Sequence, residues 1–292
     1  MGPYTGPLRP LKKPWFDADD LEFDEENLTQ FQGDEWMQGN LHFRDFNIYG
    51  EKKINVDLGE NAEMIDFVKL FIDDHVMDIM VQETNKYAAD FLASLQGQNL
   101  KRQSRFRKWN DVSQDDMMRF LAIIIGMRLV QLQDIQDYWS KDELLETPGL
   151  RKILPKNKFL LMLSLLHVCN NDNNIPRGQD GHDPIFKIRR IFDHLKQKFA
   201  DVYSPGENVA IDEGMVAWRG NLSFRVYMPD KPDKFGVKFF MFCDSSNGYC
   251  SQIEIYTGSS DAPSEKEKIY DLVMRLMKPY LNKGHKLYVD NF

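Results

Sequence analysis

Cysteine is scarce in this chain, and basic charge is sparse over its first hundred residues. The three cysteines, Cys169, Cys243 and Cys250, stand without CxxC spacing, so the pattern offers neither a disulfide framework nor a zinc site. Buried free thiols are the expectation. No stretch approaches the roughly 20 apolar residues that cross a bilayer, and the opening Met1-Gly2-Pro3-Tyr4 has no basic segment followed by an apolar one. A soluble intracellular chain with no membrane partner is therefore expected. His167, His182, His194 and His285 show no ligand-like spacing and read as structural. Internal repeats are absent as well.

What is present is an uneven distribution of charge. Over 292 residues the 45 acidic side chains outnumber the 37 basic ones, for a net charge of -8. Residues 1–100 hold 20 acids and 8 bases, a balance of -12, whereas residues 101–292 hold 25 acids and 29 bases, a balance of +4. An acidic whole argues against a nucleic-acid partner, but a mildly basic body behind an acidic leader weakens that argument. Residues 1–59 contain seven acids in the ten positions Asp17 to Glu26 and read as a largely disordered leader. Its aromatics, among them Trp15, Phe23 and Trp36, are candidate contact points for a partner.

Helical spacing begins near Asn61. Met64, Phe67, Val68, Phe71, Ile72, Val76 and Ile79 recur at three- and four-residue intervals, which predicts a helix broken near Asp73 and continuing to about Leu95. Ser113 is a candidate N-cap for a helix over Gln114 to Leu132. That segment is apolar nearly all round, so it is expected at the centre of a helical layer. Further helices are predicted over Ile135 to Glu146, Lys156 to His167 and Phe186 to Tyr203. After Ser204-Pro205-Gly206, β-branched and aromatic runs predict strands over Val209 to Val216, Ser223 to Met228, Gly236 to Phe242 and Tyr249 to Tyr256. A helix over Ser264 to Leu281, capped by Ser264, and a strand over His285 to Val289 complete the series. The expected division is leader 1–59, helical region 60–203 and a mixed α/β region 204–292.

Two aspartates, Asp212 and Asp290, each end a β-like apolar run. Carboxylates brought side by side on one sheet can hold divalent metal for phosphodiester chemistry. A lone aspartate at a strand end is ordinarily a turn or cap residue, so the surrounding motif has to decide. Ile211-Asp212-Glu213, Arg219-Gly220, the run Phe224 to Lys238, Cys243-Asp244-Ser245 and Val289-Asp290-Asn291-Phe292 occur in order. This series resembles the piggyBac transposases and the host proteins derived from them.

The resemblance implies a ribonuclease H-like catalytic domain preceded by a helical region that binds DNA and dimerises. It implies Asp212 and Asp290 as catalytic, Mg²⁺-binding residues, with DNA cleavage and strand transfer at TTAA sites. It also implies double-stranded DNA as partner, a homodimer and a nuclear location. The family's third catalytic aspartate lies downstream of the second and has no counterpart here. The expectation is an incomplete ribonuclease H-like domain from a truncated gene model, a decayed copy or a fragment, inactive alone.

Two basic series are candidate DNA contacts. Arg219, Arg225, Lys231, Lys234 and Lys238 accompany the first aspartate, because phosphate contacts need positive side chains. Lys101, Arg102, Arg105, Arg107 and Lys108 place five bases in eight positions ahead of Trp109, which suits backbone contact with stacking. The same residues also read as solvated strand and loop positions, or as a weak import signal. The alternatives to an enzyme are a domesticated, non-catalytic DNA- or chromatin-binding protein and an interaction protein acting through its acidic leader.

Overall fold

The computed structural model describes residues 48, 50–96, 102–229, 231–258 and 268–289. The acidic run, Lys101, the Ser264 cap and Asp290 lie outside the described residues. Helix α1 (Met64–Lys69) precedes α2 (Asp74–Ser94), and the break falls at Asp73, whose carboxylate accepts the Val76 N–H at 3.1 Å as an N-cap. Helix α3 (Gln114–Leu129) opens with a capping box: Ser113 Oγ accepts the Asp116 N–H while Asp116 accepts the Ser113 N–H, each at 3.2 Å. Helices α4 (Pro148–Ile153), α5 (Lys156–Leu165) and α6 (Phe186–Val202) follow.

The helical core forms where the apolar stripes of α2, α3 and α5 meet. Val76, Met77, Met117, Phe120, Ile123, Phe159 and Met162 are buried there, each contributing about 1.5–3 kcal/mol of apolar burial. Two sequence expectations need correction. The outer face of α3 is not enclosed, since Ile125 and Leu129 are 53% and 83% exposed. The helix expected over 135–146 is only a short 3-10 turn, Asp137–Trp139. There Tyr138 donates to Val130 O at 2.7 Å, Trp139 Nε1 donates to Leu154 O at 2.8 Å and Thr147 Oγ1 donates to Tyr138 O at 2.9 Å. These tertiary bonds hold the segment in an irregular path against its helical periodicity.

A two-residue strand, β1 (Lys53–Ile54), pairs antiparallel with β2 (Tyr203–Ser204), so part of the stretch read as leader is ordered. The main sheet comprises β3 (Asn208–Ala217), β4 (Val226–Tyr227), β5 (Phe235–Asp244), β6 (Cys250–Ile255) and β7 (Lys286–Val289). One edge of β5 pairs antiparallel with β3, while β4 and β6 pair with its other edge in turn. Helix α7 (Lys268–Met277) leads to β7, which runs parallel to β3. The strand expected over Ser223 to Met228 is cut to Val226–Tyr227. Its first residues turn back, with Arg225 Nη1 donating to the carbonyls of Arg219 and Gly220 at 3.2 and 3.3 Å.

Both sheet faces are covered. Leu272, Val273, Leu276 and Met277 of α7 pack on Val209, Ile211 and Phe242. On the opposite face Phe192 of α6 joins Phe224, Val237, Phe239 and Ile255. No helix among the described residues is long and apolar enough to cross a membrane.

Candidate metal and DNA-binding site

Strand alternation sets the site. Val209 and Ile211 point into the α7 core, so Asp212 falls on the other face, where it is exposed. Its cross-strand partner on β5 is Met241, and the neighbouring pair on that face is Ala210 with Cys243. One carboxylate oxygen, Oδ1, accepts the Glu213 N–H at 2.7 Å. On the other side of β3 the parallel register ends with Ile211 opposite Val289, the residues immediately before the two aspartates. Asp290 itself lies outside the described residues. Among those described, no three or more His, Cys, Asp or Glu side chains converge as a metal cage.

The first basic series divides between faces. Lys238 Nζ sits 2.8 Å from Glu213 Oε2, and Lys231 Nζ sits 3.8 Å from Glu213 Oε1. Glu213 follows Asp212 by one residue, so it and Lys238 stand on the opposite sheet face from Asp212. The Lys238 ammonium also lies 4.7 Å from the centre of the Phe240 ring. Arg225 organises its loop and lies over Phe235. Arg219 and Lys234 are exposed. Sequence reasoning gave Glu213 no role, although the period-2 register shows which residues share its face.

The second basic series is presented by a 3-10 turn, Arg105–Lys108. Phe106 anchors this turn on α2 through an edge-on contact with Phe91 at 5.1 Å, leaving Arg105, Arg107 and Lys108 exposed. Arg102 is exposed beside it. A cavity of about 250 Å³ lies next to the turn, lined by Lys108, Trp109, Asn110, Pro155, Lys158 and Met162 among others. Lys158 is ion-paired with Asp116.

All three cysteines are free, as the sequence suggests. Only Cys169 is buried, however, while Cys243 and Cys250 are half-buried and lie opposite each other across β5 and β6. The neighbouring Cys250 side chain pulls the Cys243 pKa down, and Cys243 together with burial pushes that of Cys250 up; the Cys250 thiol donates to Gln252 O at 3.1 Å. The spacing of these two residues hid their pairing, because only the hairpin brings them together.

A family profile described as Transposase IS4 matches residues 65–292. The chain belongs to this transposase family. Within it the chain is similar to the human piggyBac transposable element-derived protein 5, with 23% identity over 228 residues covering 74% of this chain and 40% of that protein. It is also similar to the human piggyBac transposable element-derived protein 3, with 23% identity over 206 residues covering 70% and 31%. The cryo-EM structure of a piggyBac transposase synaptic complex with hairpin DNA matches with a TM-score of 0.65 at 21% identity, covering 82% of this chain and 52% of that one. That likeness shows a common fold. This transposase-family chain spans two fifths or less of the length of the human relatives it matches.

Proposed function

We propose that this chain carries part of the machinery of a Mg²⁺-dependent DNA strand transferase of the piggyBac type, with Asp212 and Asp290 as its metal ligands. The observation that carries the reading is the parallel register of β3 with β7, whose last pair is Ile211 and Val289. A sheet of antiparallel strands followed by a helix and a strand parallel to the first supports a ribonuclease H-like reading.

The residues present suit a hard cation. Asp212 is exposed, and its one hydrogen bond among the described residues comes from a backbone N–H. Lys231 and Lys238 are drawn to Glu213 on the other face, and among the described residues no cation is ion-paired with Asp212. Oxygen ligands of this kind are the ones Mg²⁺ takes. When bound, the metal supplies charge neutralisation at a phosphodiester and activation of the attacking oxygen. Asp212 and Asp290 would position it, while Arg105, Arg107, Lys108, Arg219 and Lys234 attract the DNA backbone. Lys231 and Lys238 would first have to leave Glu213. In this reading the family's third carboxylate must come from outside residues 1–292, and a polypeptide of those residues alone is expected to be inert.

The test is Mg²⁺- or Mn²⁺-dependent processing of TTAA-bearing duplex by this chain joined to the downstream part of a complete relative. Asp212→Asn and Asp290→Asn should each reduce it to background. Full activity in both variants would remove the metal assignment.

A second reading, a DNA-binding protein without cleavage, is favoured by the exposed basic turn Arg105–Lys108, which lies on the helical part and not on the sheet. It predicts DNA affinity untouched by the two Asp→Asn changes and no processing in the joined protein.

A further inference from the structure

The β5–β6 ladder sets Cys243 opposite Cys250. The Asp244 N–H bonds to Tyr249 O at 3.0 Å, so the next pair inward, Cys243 with Cys250, occupies a non-hydrogen-bonded position. In such pairs the Cα atoms lie about 4.5 Å apart with side chains leaning together, inside the roughly 4.4–6.8 Å that a disulfide spans. Both thiols are free and only half-buried, and the Cys250 thiol donates to Gln252 O at 3.1 Å, within its own strand. The register is irregular between Phe242 and Cys243, and such a bulge leaves the ladder room to adjust. A bridge here would close only the short turn from Asp244 to Tyr249, and short loops give little entropic stabilisation. That combination favours a bond that opens as readily as it closes.

We infer that Cys243 and Cys250 form a reversible modification site, closing a cross-strand disulfide in exchange with a small-molecule disulfide of the glutathione type. One protein thiol, as thiolate, attacks the small disulfide, forming a mixed disulfide and releasing one small thiol. The second protein thiolate attacks the protein sulfur of that mixed bond and releases the other small thiol. The small disulfide takes up the two electrons and both thiol protons, and the protein loses two hydrogens. The bridge lies on the sheet face of Asp212, since Cys243 pairs with Ala210 and Asp212 with Met241.

The experiment incubates the native chain with a graded excess of oxidised glutathione, alkylates the remaining thiols and maps the products after chymotryptic cleavage at Tyr249. The expected result is an intact mass lower by two hydrogens, a Cys243–Cys250 cross-link, an alkylated Cys169 and full reversal by dithiothreitol. Cys243→Ser should hold at most a single glutathione adduct, on Cys250. Separate adducts on Cys243 and Cys250 without a cross-link, or both thiols still alkylated at the highest excess, would overturn the inference. Both outcomes are read on the unaltered chain, so neither depends on how the serine variant folds.

Discussion

Tyr203 donates a hydrogen bond to Asp244 at 2.8 Å, joining the residue just after α6 to the last residue of β5. The same carboxylate accepts the Gly206 N–H at 2.8 Å, the Ser246 N–H at 2.8 Å and the Ser246 hydroxyl at 2.5 Å. Asp244 is 1% exposed. Burial pushes its pKa up, but these donors outweigh burial and hold the carboxyl well below its ordinary range. Asp244→Ala should destabilise the protein by about 3 kcal/mol or more, because several buried donors lose their acceptor together, and Tyr203→Phe by about 1 kcal/mol. Urea unfolding of the two variants measures both; an unchanged midpoint in Asp244→Ala would deny this junction any structural weight.

Acid should loosen the joint between α2 and α6. Burial raises the Asp73 pKa, but Lys198 at 2.9 Å, the Val76 N–H and His194 at 3.0 Å together bring it down from 3.8 to about 2. A carboxyl depressed in the folded state stabilises it fully above its unfolded pKa, and the contribution fades as pH falls through the folded value. Stability measured against pH should therefore drop between about pH 4 and pH 2. In Asp73→Asn that part of the fall should be missing; an identical acid limb would show that the network contributes nothing.

Two glycines of the sheet should respond differently to alanine. A Cβ at Gly236 would overlap the Val216 backbone carbonyl, whereas one at Gly214 would meet only the flexible end of the Met241 side chain. Gly236→Ala should cost about 2–3 kcal/mol, as strand backbones are forced apart, and Gly214→Ala about 1 kcal/mol or less. Thermal melts of the pair decide it, and equal losses would contradict the distinction.

The basic turn should bind phosphate through charge alone. Changing Arg105, Arg107 and Lys108 together to Ala should weaken binding to any duplex alike. It should also flatten the dependence of log K on log salt by roughly 2–3, since each phosphate contact contributes about 0.9 to that slope. Fluorescence anisotropy at several salt concentrations reads this, and an unaltered slope would return the turn to ordinary solvated surface.

Local signals were legible in the sequence where they acted locally. The break expected near Asp73 and the cap at Ser113 placed the starts of α2 and α3, and the apolar spacing located α5 and α6 to within a few residues. The bonds that Asp244 accepts from Ser246, two positions on, are equally local and shape the turn after β5. What escaped was non-local. The bonds of Tyr138 and Trp139 to distant carbonyls override the periodicity of 135–146. The two residues of β1 acquire strand character only by meeting β2, 150 positions away. Likewise the opposite orientations of Asp212 and Glu213 follow from which face α7 covers, a fact that no single run of residues encodes.

The pairing of Ile211 with Val289 also has a consequence in time. It joins positions 78 apart, whereas β3 meets β5 across separations of only 19 to 35. Contacts between distant positions form late, because the intervening chain must first be drawn in. A nascent chain would thus assemble the β3–β5–β6 meander and display Asp212 well before β7 is available to join it. Any break between Tyr256 and Lys286 would leave a folded meander whose first aspartate never gains its neighbouring strand.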